Sequence, residues 1–182
     1  MSVINLEYNV MFIHVPKTAG RSMEEAPFVG CRGHRTALQL REFIVKNCIG
    51  VEYDDLFKFG FVRNPWDRFV SLYSHYHDGN TVSFADFVRH ARIPLPSQLR
   101  SQVAYLQDGN GNLLVDFVGR FENLQDDWEH VCGVVGEQFT LPHLRKGYHR
   151  GHYKEYYTIE LWDAVAALYA EDIEMWEYCD EL

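Results

Sequence analysis

A chain of 182 residues that is 47% hydrophobic and 15% aromatic holds enough apolar surface for one α/β domain with a real core, and too little for two comfortable ones. Its formal charge of −9 argues against a general nucleic-acid binder, and makes a polyanionic partner less natural unless a local basic cleft overrides the net value. Its four cysteines (Cys31, Cys48, Cys132 and Cys179) are widely spaced without a CxxC pair, so neither a zinc site nor a disulfide framework is expected, and no apolar run approaches the length of a membrane span.

Residues 1–9 lead into the first predicted strand, Val10 to Val15, a nearly continuous apolar run that suits a parallel strand buried on both faces. Pro16 ends the ladder, having no N–H to donate. The next residues, PKTAGRS, bring together Lys17, Thr18, Ala19, Gly20, Arg21 and Ser22. A tight turn opening a helix near Gly20 aims several backbone N–H groups at one point, where phosphate or sulfate binds. Against the pattern G-x-x-x-x-G-K-[ST], Gly20, Arg21 and Ser22 fall on the last three places, but Val15 replaces the first glycine and the lysine has moved to Lys17. The stretch therefore reads as an anion loop of P-loop geometry without the nucleoside-triphosphate signature. The bland alternative is an ordinary turn after a strand.

Arg21 to Glu25 is predicted as a short helix stopped near Pro27, followed by a short strand or loop over Phe28 to Gly33. His34 stands in the loop before a predicted helix, Thr36 to Lys46, which Thr36 can cap. Phe57 to Val62 reads as a second buried strand. Asn64 suits an N-cap and Pro65 a first helical position, with Trp66, Phe69, Val70 and Tyr73 forming the core face of the helix. Arg63 thus ends a strand at the edge where open α/β sheets bind ligands, and Ser71 lies about two turns along the helix.

His75 and His77 are two residues apart, a spacing that does not put both on one helix face, so no metal site is expected. A helix is predicted over Ser83 to Ala91. A helix or helix-to-loop segment follows over Ser97 to Leu106, then a turn over Gln107 to Asn112 and a strand over Leu113 to Val118. Asp116 invites comparison with a magnesium-binding strand-end aspartate, yet it lies within the apolar run. Glu122 to Val135 reads as a helix stopped at Gly136, and Leu141 to Tyr157 as an irregular basic segment. Thr158 to Tyr178 reads as one amphipathic helix burying Leu161, Trp162, Val165, Leu168, Tyr169, Ile173 and Trp176.

HVPKTAGRS resembles the 5′-phosphosulfate loop of the sulfotransferases that use PAPS (3′-phosphoadenosine 5′-phosphosulfate), closest to the carbohydrate branch with the heparan 2-O- and 6-O-sulfotransferases and small bacterial relatives. FVRNPWDRFVSLY resembles that family's 3′-phosphate motif. VDFVGRFENL and the tail from Tyr156 to Tyr178 are also similar to it. The resemblance implies a single sulfotransferase domain over residues 1–182. Its fold would be α/β: three layers, α/β/α, around a central, mainly parallel sheet, like that of P-loop NTPases.

By the same resemblance, Lys17 to Ser22 would hold the 5′-phosphosulfate, with Lys17 catalytic. Arg63 and Ser71 would hold the 3′-phosphate, and Arg145, Lys146 and Gly147 would close over the nucleotide. His34 matches the place of the catalytic histidine of the 2-O/6-O branch, against the plain reading of a solvated loop histidine. PAPS would be the sulfuryl donor, with no metal, and the acceptor a hydroxyl of a small molecule or glycan. The segment from Asp78 to Gln107, free of cofactor motifs, is the candidate acceptor region. The family's Golgi members are membrane-anchored, whereas this chain reads as a soluble, cytoplasmic, bacterial or viral-type version, or as a trimmed catalytic domain. Two alternatives stand beside this reading: a P-loop small-molecule kinase needing magnesium, and a PAPS-binding module without turnover.

Overall fold

The computed structural model describes residues 4–30, 33–48, 50–76, 82–91, 97–142, 152–178 and 182. In chain order its elements are β1 (Ile4–Asn5), β2 (Val10–Ile13), α1 (Gly20–Met23), α2 (Ala37–Asn47), β3 (Phe57–Val62), α3 (Pro65–Tyr76), α4 (Phe84–His90), α5 (Val103–Leu106), β4 (Phe117–Arg120), α6 (Leu124–Val135), α7 (Ile159–Leu168) and α8 (Ala170–Trp176). The chain folds as two compact units, one of residues 1–62 and 104–144, the other of 63–103 and 145–182.

The first unit holds the sheet, in the order β1-β2-β3-β4. The pairs β2–β3 and β3–β4 are parallel, and β1 pairs antiparallel to β2, so the sheet is mixed but mostly parallel, with flanking helices. The predicted α/β class is thus observed. Alternation decides the packing. Val10, Phe12, Phe59 and Phe61 point to one face, where they meet Met23, Phe28, Trp128 and Val131. Phe12 stacks on Phe59 at 5.1 Å between centroids, and Phe28 on Trp128 at 5.4 Å. Burying each such ring contributes about 1.5–3 kcal/mol, which makes this face the anchor of the strand ends above it. On the opposite face, Met11 and Ile13 are equally buried, as expected for a strand covered on both sides.

Local signals explain the helices of this unit. Thr36 and Gln39 form a reciprocal capping box at the start of α2. Gly136 ends α6 in the left-handed conformation (φ 80°) that a side chain would disfavour. One prediction shifts: the strand expected over Leu113 to Val118 is β4, Phe117–Arg120. Leu113 makes only an isolated bridge to Gln107, because the Asp108 carboxylate closes a tight turn by accepting from the Asn110 and Asn112 N–H groups.

The second unit is helical. The Asn64 side chain caps α3 by accepting from the Trp66 and Asp67 N–H groups, with Pro65 first in the helix as predicted. Trp66 stacks on Trp162 at 4.2 Å, and its Nε1–H donates to the Trp162 carbonyl. Tyr157 donates its hydroxyl to the Trp66 carbonyl. The single tail helix predicted over Thr158 to Tyr178 is two helices, α7 and α8, broken at Tyr169 (φ −121°, ψ 28°). Tertiary contacts hold the break: Tyr169 donates its hydroxyl to the Leu99 carbonyl, and the Arg68 guanidinium lies 5.6 Å from its ring. No helix among the described residues is long and apolar enough to cross a membrane.

Candidate functional site

The loop after β2 is built by backbone conformation. The Val15 N–H turns back onto the Ile13 carbonyl at 3.1 Å, so the chain leaves the sheet sharply at His14. Lys17 (φ 71°) and Ala19 (φ 66°) are both left-handed, a conformation that costs a non-glycine residue about 1–2 kcal/mol. Such strain persists only where the surroundings impose it. Here the fully buried Thr18 donates its hydroxyl to the Val15 carbonyl at 2.9 Å, and the Ser22 N–H donates to the Ala19 carbonyl at 2.9 Å. Ala19 in the left-handed region followed by helical Gly20 turns successive N–H groups toward one side, the arrangement of an anion-binding nest. Lys17 is half-buried and Arg21 exposed.

His14, passed over in the sequence reading, props this loop from within. Its ring is 6% exposed and stacks on Phe12. A Cβ added at Gly20 would stand 2.1 Å from its Nε2, so glycine is required here for lack of space. Burial, with the charges of His34 and Arg21 nearby, holds the His14 imidazole down to about 3, so the ring is neutral. Its Nδ1–H donates to the Glu24 carboxylate at 2.9 Å, as a hydrogen bond between a neutral ring and a carboxylate.

His34 meets His14 edge to face at 4.3 Å, and its Nδ1 donates to the His14 carbonyl at 3.1 Å. A carbonyl can only accept, so Nδ1 carries a proton, and whenever the ring is neutral its lone pair is on Nε2. His34 itself is exposed. The loop that presents Lys17 and the exposed imidazole are thereby tied to one residue, His14. The signal in the sequence was its position: a polar residue ending an apolar strand and leading into a glycine-bearing turn.

In the second unit, Arg63 is the first residue after β3 and is 7% exposed. Its Nε donates to Asp67 Oδ2 at 2.8 Å, an i,i+4 ion pair at the start of α3. Its peptide N–H donates to Gln102 Oε1 at 2.9 Å, while Gln102 Nε2 donates to its carbonyl at 2.8 Å. Ser71 is buried on α3 at 9% exposure. Arg145, Lys146, Gly147 and His77 lie outside the described residues, as does part of the segment from Asp78 to Gln107.

Asp116 sits just before β4, opposite Lys58 near the start of β3. It accepts from the Lys58 N–H at 2.7 Å and pairs with the Lys58 ammonium at 3.0 Å. The loop of Lys17 leaves the other, C-terminal end of the parallel strands, so Asp116 stands at the opposite edge of the sheet from it. Among the described residues, no group of three or more His, Cys, Asp or Glu side chains could hold a metal ion.

The Sulfotransferase family model matches residues 1–179 of the chain. An uncharacterized protein of Archaeoglobus fulgidus is 33% identical over 98 residues, which span 52% of this chain and 80% of that protein. No solved structure matches.

Proposed function

The chain belongs to the sulfotransferase family, and from that premise we propose that it transfers the sulfuryl group of PAPS to a hydroxyl acceptor, a carbohydrate, releasing 3′,5′-ADP. The family match runs through both compact units, which supports one sulfotransferase domain over residues 1–182. The donor set fits an anionic co-substrate: a nest of N–H groups with an ammonium and an exposed guanidinium in the loop, and a held guanidinium at Arg63.

PAPS supplies an activated sulfuryl group on its 5′-phosphate. Lys17 neutralises the negative charge that grows on the leaving phosphate oxygen as the S–O bond breaks, and Arg21 and the loop N–H groups hold the anion in line. His34 Nε2 accepts the acceptor hydroxyl's proton while the acceptor oxygen bonds to sulfur. Arg63 and Ser71 would take the 3′-phosphate, and the resemblance assigns Arg145, Lys146 and Gly147, which lie outside the described residues, to the nucleotide as well. The magnesium-dependent kinase alternative loses its strand-end carboxylate, since Asp116 is paired with Lys58 at the other edge of the sheet. A binding module without turnover would be excluded by transfer that depends on His34.

The observation that carries the choice of donor is Arg63, a buried arginine gripped at its peptide and at its Nε. ATP has no 3′-phosphate for it to meet. Charge-assisted hydrogen bonds contribute about 1.5–3 kcal/mol each, so 3′,5′-ADP is expected to bind about ten- to a hundredfold more tightly than 5′-AMP. Arg63→Ala should erase most of that preference, and Ser71→Ala a smaller part. Calorimetry with both nucleotides checks this, and equal affinities in the wild type would reject PAPS as the donor.

A further inference from the structure

We propose that Gln102 and Asp172 are positioning residues for Arg63, and that the buried polar network joining them sets the preference for a 3′-phosphorylated nucleotide. The inference rests on the reading of Arg63 as the 3′-phosphate holder. Arg63 follows the last residue of β3, so its peptide groups leave the ladder and need new partners. A single side chain supplies both: the Gln102 amide, itself fully buried, accepts from the Arg63 N–H and donates to the Arg63 carbonyl. This two-point grip fixes the main chain from which the guanidinium projects, while Asp67 fixes its Nε.

Gln102 is held in turn. Its own N–H and that of Val103 donate to the two oxygens of Asp172, each at 2.9 Å, and Asp172 is fully buried on α8. Arg68 offsets the Asp172 charge, and is also fully buried. Arg68 Nη2 donates to the Gln98 and Arg100 carbonyls, so the segment leading to Gln102 is tied down as well. Burying an arginine, an aspartate and a glutamine is costly where apolar side chains would pack as well. A fork that must meet phosphate oxygens within about half an ångström gives the cost a use.

The test is calorimetry of 3′,5′-ADP and 5′-AMP on the wild type, Gln102→Leu and Gln102→Glu, with thermal melts alongside. Gln102→Leu removes both contacts to the Arg63 peptide. Gln102→Glu keeps the volume and the acceptor but sets a carboxylate oxygen against the Arg63 carbonyl. Each is expected to weaken 3′,5′-ADP about tenfold and to leave 5′-AMP within about twofold, collapsing the preference. A wild type without preference rejects the 3′-phosphate reading itself. A wild-type preference that survives both variants, or a parallel loss for both nucleotides, overturns the positioning role and leaves that reading standing. Should neither variant fold, exchange of the Arg63 amide proton in the wild type decides. Added 3′,5′-ADP should slow it and 5′-AMP should not, and no difference between the two overturns the proposal.

Discussion

The two regions proposed to hold the anions are built by opposite means. The loop of Lys17 is made largely of neighbours: Val15, Thr18, Ala19 and Gly20 bond or pack within a few residues, and His14, itself next to the loop, supports it from within. Arg63 is made by distant residues: Gln102 stands 39 positions away, and Asp172 a further 70 beyond Gln102. The loop stores its shape as backbone strain, in two left-handed non-glycine residues, whereas Arg63 is placed by buried hydrogen bonds. The first kind of site is robust to distant change and sensitive to any change in its own few residues. The second depends on distant residues as well as on Asp67 four positions on.

The largest effect expected belongs to His34, whose orientation comes from the loop's own frame through the His14 carbonyl. If the lone pair on Nε2 is the base, His34→Ala lowers turnover by about two to four orders of magnitude. Affinity for 3′,5′-ADP should stay as it is, because Arg63 is held independently. Single-turnover transfer from labelled PAPS reads the first quantity and calorimetry the second. Turnover that survives the change would leave His34 as a solvated loop residue.

Lys17 allows strain and charge to be separated. Both Lys17→Ala and Lys17→Gly remove the ammonium and should cost about two to three orders of magnitude in turnover, the scale of one lost transition-state contact. They differ in the backbone. Glycine adopts φ 71° without penalty, so the glycine variant should be more stable than the alanine variant by about 1 kcal/mol, visible as a higher melting temperature. Equal melting temperatures would show that the loop is not strained at this position.

How much was legible follows the same division. The Thr36 cap, the Asn64 cap with Pro65, and the Gly136 stop all rest on interactions within a few residues, which the sequence pattern reveals, and β3 was legible from its continuous apolar run. The basic loop was legible for that reason. The break at Tyr169, the burial of Asp172 and the grip of Gln102 depend on partners far along the chain, so helical periodicity ran straight through Tyr169. β1 was missed because two residues of edge strand carry no periodicity. His14 was adjacent to the motif, but its burial and its contact with Gly20 are tertiary facts.

Acid sharpens the comparison, with opposite signs in the two regions. His14 is buried neutral in the loop frame, its folded value near 3 against about 6.5 in the unfolded chain. Between those values the unfolded state binds the extra proton. The stabilisation present above about pH 6.5 is therefore lost as pH falls toward 3, at about 1.4 kcal/mol per pH unit. Asp172 runs the other way. Burial raises its carboxyl, opposed by Arg68 and the donated N–H groups, so its contribution is fully present below its ordinary value near 3.8 and fades as pH rises. Trp128 reports on the first unit and Trp66, Trp162 and Trp176 on the second, so 5-fluorotryptophan labelling separates the two by fluorine NMR. Urea titrations at pH 7, 6 and 5 should show the Trp128 transition moving to lower urea with acid, and His14→Gln should remove most of that slope, since glutamine cannot take up the proton. A Trp128 midpoint that does not move with pH in the wild type would mean that His14 is not held neutral, and the propping role given to its ring beneath Gly20 would fall with it.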